Sequence, residues 1–284
     1  MKDLPILFII DVDNTLIGNS KNILDYRSFL NIIKTNCNRN KIDKTNKLCS
    51  LNKNYWKNII PEYFFRPFIK EFFNGILELY PNAEFFIFST GTKSYINIII
   101  KLIENYIKPI KFNKPYFTRE KSFISYTNYY VKNINVNKDI IVKSLKNKYP
   151  SINENIEEVL LKKTIIIDDL NVWDNDFRQI YIKPYNFQSI IEFDYHLLKL
   201  IYDNEFIYNY LHSSFILNIE KGSSFNDFLL NYHLYMINKY KNNELINNEN
   251  INDNQFNKIL IYLKKNKKHL FTKEFFTTLN KTLK

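Results

Sequence analysis

Ile6-Leu7-Phe8-Ile9-Ile10-Asp11-Val12-Asp13-Asn14-Thr15-Leu16 runs an unbroken apolar stretch directly into two aspartates spaced by one residue. A continuous rather than alternating apolar run of this length suits a strand covered on both faces, as in a parallel sheet. Phe85-Phe86-Ile87-Phe88-Ser89 and Thr164-Ile165-Ile166-Ile167-Asp168 share the pattern, and each also closes on a polar side chain. The expected strands are therefore Ile6 to Asp11, Phe85 to Ser89 and Thr164 to Asp168, with a fourth within Arg178 to Pro184.

Helical spacing fills the intervals. From Arg66 to Tyr80, Phe68, Phe72, Ile76 and Leu79 fall on one face, with Pro67 suited to a first turn. Helices are also expected over Leu24 to Lys34, Lys93 to Tyr106 and Asp139 to Lys148, and a polar loop from about Asn36 to Asn54. This alternation predicts an α/β fold with a doubly wound, mainly parallel, Rossmann-like sheet. Beyond about Asn186 the texture changes to amphipathic segments such as Phe228 to Tyr240 and Phe256 to Lys264. Residues 1–187 are thus expected to form one domain and 188–284 a C-terminal helical extension, with Asn247 to Asn254 a loop inside it.

Apolar residues make up 45% of the 284, with 24 Phe and 21 Tyr, which is ample material for a core and argues against disorder. Forty Lys and Arg against 29 Asp and Glu leave a net charge of +11, so polyanions, nucleic acid among them, are attracted. The excess of Lys, Asn and Ile also matches the style of an AT-rich genome. Cys37, Cys49 and four scattered histidines show no zinc spacing, and no disulfide framework is expected. The apolar run at the N-terminus is too short for a signal peptide, and no stretch reaches the ~20 apolar residues of a membrane span. The expectation is a soluble intracellular protein.

Three strand ends carry the chemistry. Asp11 and Asp13 lie where α/β sheets place ligands, spaced so that one carboxylate can face an electrophile while the other serves a leaving group. Ser89, followed by Thr90-Gly91-Thr92 at a helix start, offers a hydroxyl and free amides to phosphate oxygens. Asp168 and Asp169 add two carboxylates. Four aspartates converging at one edge repel unless a cation joins them, and magnesium held by carboxylates and water satisfies that need. A lysine is expected to complete the site by pairing with Asp11 and the phosphate.

Asp11-Val12-Asp13-Asn14-Thr15-Leu16 matches every fixed position of the D-x-D-x-T-[LV] motif, and the chain resembles the haloacid dehalogenase superfamily. Within it the likeness is to phosphatases of the RNA polymerase II C-terminal domain, the TFIIF-associating, small and NLI-interacting-factor-like branch. It extends through FRPFIKEFF, FSTGTKSYI, FTREKS, VKSLKNKYP, IIIDDLNVWDND and IKPYNF, from about Leu7 to Phe187. The resemblance implies a phosphatase catalytic domain over residues 1–187, with Asp11 as nucleophile, Asp13 as general acid and base, and Ser89 as phosphate ligand. It implies Asp168 and Asp169 as metal-side carboxylates beside Asp11, with Asp13 giving its backbone carbonyl to Mg2+. Lys143 in VKSL is the favoured site lysine and Lys132 in YYVKNI its competitor. The aromatic-rich segment from Lys108 to Asn137 is open to a substrate surface or to packing.

The implied activity is phosphoric monoester hydrolysis through an aspartyl-phosphate, on phosphoserine or phosphothreonine in protein. The RNA polymerase II tail is a candidate partner, which would put the protein in the nucleus or cytoplasm, of a host cell if the source is viral. Two alternatives stay open. The positive charge and abundant aromatics would suit a nucleic-acid end phosphatase. A catalytically inactive scaffold would keep the fold without turnover.

Overall fold

The computed structural model describes residues 4–39, 62–124, 130–173, 176–188, 190, 192–213, 217–267 and 271–284. In chain order the elements are β1 (Ile6–Ile10), α1 (Lys21–Asn38), α2 (Ile69–Leu79), β2 (Ala83–Ile87), α3 (Lys93–Tyr106), β3 (Phe123–Ile124) and β4 (Tyr130–Val131). Next come α4 (Lys138–Leu145), α5 (Ile152–Lys162), β5 (Thr164–Asp168), β6 (Gln179–Tyr181), α6 (Tyr195–Asp203), α7 (Glu205–Ser213), α8 (Phe225–Ile251), α9 (Gln255–Lys265) and α10 (Lys273–Leu283). The chain forms two compact units, one of Met1–Ile17, Phe65–Tyr185 and Asn252–Lys284, the other of Gly18–Phe64 and Asn186–Ile251. The C-terminal helices are thus divided between the two units.

Four parallel strands in the order β2-β1-β5-β6 form the sheet of the first unit. Side chains alternate across a strand, so Leu7, Ile9, Phe86 and Ile166 bury one face against Ile141 and Leu145 of α4 and Ile152 and Val159 of α5. On the other face Phe8 meets Phe72 of α2 edge-on at 6.3 Å, Phe73 meets Phe85 at 4.9 Å, and Phe72 meets Phe256 of α9 at 4.8 Å. Each such fully buried side chain contributes about 1.5–3 kcal/mol by leaving water. With helices on both faces of a parallel sheet, the architecture is the doubly wound α/β fold expected. C-terminal helices are present too, and Asn280 of α10 bonds both the Tyr181 N–H and the Gln179 carbonyl of β6.

The second unit holds α1, α6, α7 and α8. Phe29 of α1 packs edge-on against Phe193, whose N–H donates to the Tyr232 hydroxyl of α8. Gly18 is required here by contact, since a Cβ would lie 2.4 Å from the Phe187 carbonyl oxygen.

Several elements differ from the sequence expectation. α2 starts at Ile69 instead of Arg66, because the Arg66 N–H donates to the Leu16 carbonyl and Phe68 turns into the left-handed region, φ 64°, before the helix begins. β2 starts two residues earlier than expected, at Ala83. α5 is an additional helix that the sequence expectation lacks. The loop expected over Asn247 to Asn254 is helical as far as Ile251, because Asn247 and Asn250, one turn apart, bond the extended backbone at Gln188 and Asn186. Local composition favours a loop and tertiary hydrogen bonds override it. Of the expected polar loop from Asn36, the residues through Asn38 belong to α1 and those from 40 lie outside the described residues. Cys37 is disulfide-bonded, which corrects the expectation of none. Among the described residues no helix is long and apolar enough to cross a membrane.

Candidate active site

β1 lies between β2 and β5 with the strand ends level, Ile10 pairing with Ile87 on one side and Ile167 on the other. The residues that succeed these strands are gathered at one carboxyl edge, where open α/β sheets bind ligands. Asp11, Ser89, Asp168 and Asp169 stand there, all buried. Asp11, Asp168 and Asp169 each bring a carboxylate oxygen within 4.8 Å of the others.

Buried carboxylates this close need positive charge, and Lys132 supplies it. Its Nζ lies 2.6 Å from Asp11 Oδ1 and 2.7 Å from Asp168 Oδ2, with only 2% of the side chain exposed. The Lys132 N–H donates to the Val172 carbonyl at 2.7 Å, which draws the residue after β4 to the loop after β5. The ammonium faces the rings of Phe88 and Trp173 at 5.9 and 5.6 Å. Burial works against charge on Lys132, but Asp11 and Asp168 outweigh it and lift the pKa to about 12.

Lys143, favoured from the sequence, is exposed on α4. That helix buries Ile141 and Leu145, and a residue midway between them on a 3.6-residue turn points away from the core. The lysine at the aspartates is therefore Lys132, and the preference for Lys143 is corrected.

The remaining bonds divide the carboxylates into engaged and available oxygens. Asp168 Oδ1 accepts from the Leu170 N–H at 2.9 Å, and Oδ2 accepts from Trp173 Nε1 at 2.8 Å as well as from Lys132. Asp169 Oδ1 accepts from the Thr15 hydroxyl at 3.0 Å. No hydrogen bond from another described residue reaches Asp11 Oδ2 or Asp169 Oδ2. Burial pushes the Asp11 carboxyl well above the usual range, with Lys132 pulling it down and Asp168 and Asp169 pushing it further up. Burial and then the charge of Asp168 raise Asp169 from 3.8 to about 6, against the Thr15 bond. Two available oxygens on carboxylates that outnumber their one ammonium three to one fit a hard divalent cation with oxygen ligands.

Asp13 stands apart from this cluster. Its carboxylate is half-buried and accepts at Oδ1 from the Tyr95 hydroxyl of α3. Asn14 then takes a left-handed turn, φ 56°, a conformation asparagine tolerates better than most side chains. Gly91 makes room for Tyr95, because a Cβ there would come within 2.7 Å of its ring. Ser89 accepts from the Gly91 N–H at 3.1 Å through its hydroxyl, and its own N–H donates to the Phe117 carbonyl.

Thr15, Tyr95 and Trp173 lie within the motifs, yet the sequence alone assigns them no part. Thr15 and Tyr95 act on partners 154 and 82 positions away, which one sequence does not pair.

Residues 6–207 match the family model for NLI interacting factor-like phosphatases. The chain belongs to this family. Among solved structures, Fcp1, described as an essential RNA polymerase II CTD phosphatase, is similar over 74% of this chain and 49% of its own, at 21% identity and a TM-score of 0.33. A variant of fission yeast Fcp1, also an RNA polymerase II CTD phosphatase and bound to beryllium fluoride, is similar over 64% of this chain and 42% of its own, at 20% identity and a TM-score of 0.32. The chain spans less than half the length of either. No curated protein matches it. The NLI interacting factor-like assignment agrees with the resemblance carried by the D-x-D-x-T-[LV] motif, and it stops short of α8, α9 and α10.

Proposed function

We propose that this protein is a magnesium-dependent phosphatase of phosphoserine or phosphothreonine in protein, with residues 1–187 as its catalytic region. The observation that carries the reading is the Lys132 ammonium between Asp11 and Asp168 beside two carboxylate oxygens that accept from no other described residue. Asp11 is the nucleophile: one of its carboxylate oxygens attacks phosphorus in line to form an aspartyl-phosphate, and Lys132 holds the carboxylate in place. Asp13 gives a proton to the departing serine or threonine oxygen. As a carboxylate it then takes a proton from the water that hydrolyses the acyl-phosphate. Tyr95, donating to Asp13 Oδ1, keeps that carboxyl in one orientation through both steps.

Ser89 and Lys132 are the protein's donors for the phosphoryl oxygens, Lys132 replacing Lys143 in that part. Asp11, Asp169 and the Asp13 carbonyl would hold Mg2+, with Asp168 serving chiefly to anchor Lys132 and Trp173. Magnesium, when bound, supplies the positive charge that lets a phosphate dianion approach Asp11. Family membership supports this substrate class, and the RNA polymerase II tail is the first phosphopeptide to test.

Hydrolysis of an aryl phosphate, measured with and without magnesium for wild type and Asp11→Asn, tests this. Magnesium-dependent turnover that falls by about 10,000-fold or more in the variant is expected. Turnover retained by Asp11→Asn would sink the nucleophile assignment, and an inactive wild type would leave the scaffold reading. Phosphoserine peptides are expected to be better substrates than end-phosphorylated oligonucleotides, and the reverse order would move the substrate to nucleic acid.

A further inference from the structure

Arg66 is the largest fully buried side chain in the described residues. All five of its guanidinium N–H groups have acceptors. Nε and Nη2 form a bidentate pair with Asp253 at 2.9 and 2.7 Å, Nη2 also donates to the Lys183 carbonyl at 2.5 Å, and Nη1 donates to the carbonyls of Asn14 and Thr15 at 3.3 Å. The guanidinium lies 5.6 Å from the Tyr185 ring and 5.8 Å from that of Phe256. The two carbonyls that Nη1 holds directly succeed Asp13, and Thr15 is the residue whose hydroxyl orients Asp169. A buried guanidinium is costly unless a hydrogen-bonded counterion accompanies it. That counterion comes from the segment just before α9, beyond the residues 6–207 that the family model covers.

We propose that Asp253 is a positioning residue for the phosphatase reaction. By neutralising and aiming Arg66, it fixes the Asp13-Asn14-Thr15 turn from a C-terminal segment outside the family's shared region. The α9–α10 segment therefore takes part in setting the acid's position as well as covering the sheet. The inference rests on the phosphatase reading for its kinetic consequence, while its geometric consequence is independent of that reading.

The test uses the full chain. Asp253→Asn keeps the shape and removes the charge, and is expected to lower kcat by about ten- to a hundredfold at nearly unchanged KM. It should also speed hydrogen exchange of the Val12–Leu16 amides at least about tenfold while leaving β2 unchanged. Leu279→Ala, a buried truncation in α10 that touches none of the hydrogen bonds of Arg66, should lower the melting temperature without either effect. The double variant Arg66→Met with Asp253→Leu replaces the ion pair by apolar groups, and is expected to recover thermal stability but not kcat. Unchanged exchange in the Val12–Leu16 turn of Asp253→Asn overturns the proposal whether or not the wild type has activity. Full kcat in the double variant, or an equal loss of kcat in Leu279→Ala, reduces Asp253 to a structural role and overturns it as well. An inactive wild type with faster turn exchange in Asp253→Asn would count against the phosphatase reading alone.

Discussion

Lys132 and Arg66 are both sealed from solvent against aspartate, and their surroundings are completed in opposite ways. Around Arg66 every donor has an acceptor, and Asp253 meets one buried positive charge with one negative. Around Lys132 one ammonium faces three carboxylates, and two oxygens accept nothing from other described residues. A closed network of this kind holds a shape, whereas an open one stores unmet charge that a ligand can satisfy. The contrast explains why the fold tolerates the cost of burying Asp11, Asp168 and Asp169 together.

Removing the cation of the open cluster should break the contrast most strongly. Lys132→Met is expected to reduce kcat by about a hundred- to a thousandfold, because it removes the proposed phosphate donor and leaves Asp11 and Asp168 buried without their ammonium. Lys143→Met, on the exposed face of α4, should change kcat by less than about twofold. Steady-state kinetics on the two variants decides between the lysines, and equal losses would contradict the geometry.

Tyr95→Phe sharpens the division of labour between Asp13 and the cluster. Loss of one hydrogen bond to a charged group is worth about 1.5–3 kcal/mol, so about a ten- to a hundredfold drop in kcat is expected, with a shift in the acid limb of the pH–rate profile. An unchanged profile would mean that Tyr95 does not act on Asp13.

The smallest effect concerns stability in the absence of metal. Asp169 has its folded pKa raised from 3.8 to about 6. Its proton therefore stabilises the fold at pH below 3.8, and that contribution is lost as pH rises through about 6. In metal-free protein near neutral pH, Asp169→Asn is accordingly expected to stabilise by about 1–2 kcal/mol and to flatten the pH dependence of melting between those values. Magnesium should raise the melting temperature of wild type and have little effect on the variant. A destabilised variant without metal would show that Asp169 is satisfied by the protein itself.

Much of the fold is legible in the chain itself. Continuous apolar runs ending in Asp11, Ser89 and Asp168 mark strands, and three strands ending in polar groups mark a carboxyl edge, because burial on both faces and the two-residue period are local properties of a chain. The lysine, the two available oxygens and the Arg66 clamp are not legible. Lys132 reaches Asp11 across 121 positions and Arg66 reaches Asp253 across 187, and no periodicity records which distant groups meet. The α8 stretch from Asn247 shows the same limit, since its asparagines favour a loop locally and become helical only through bonds to residues some sixty positions earlier. Sequence determined where the sheet strands run and which side chains close them. Tertiary structure alone decided which charges are paired and which remain unmet, because burial and distance are properties of the folded chain.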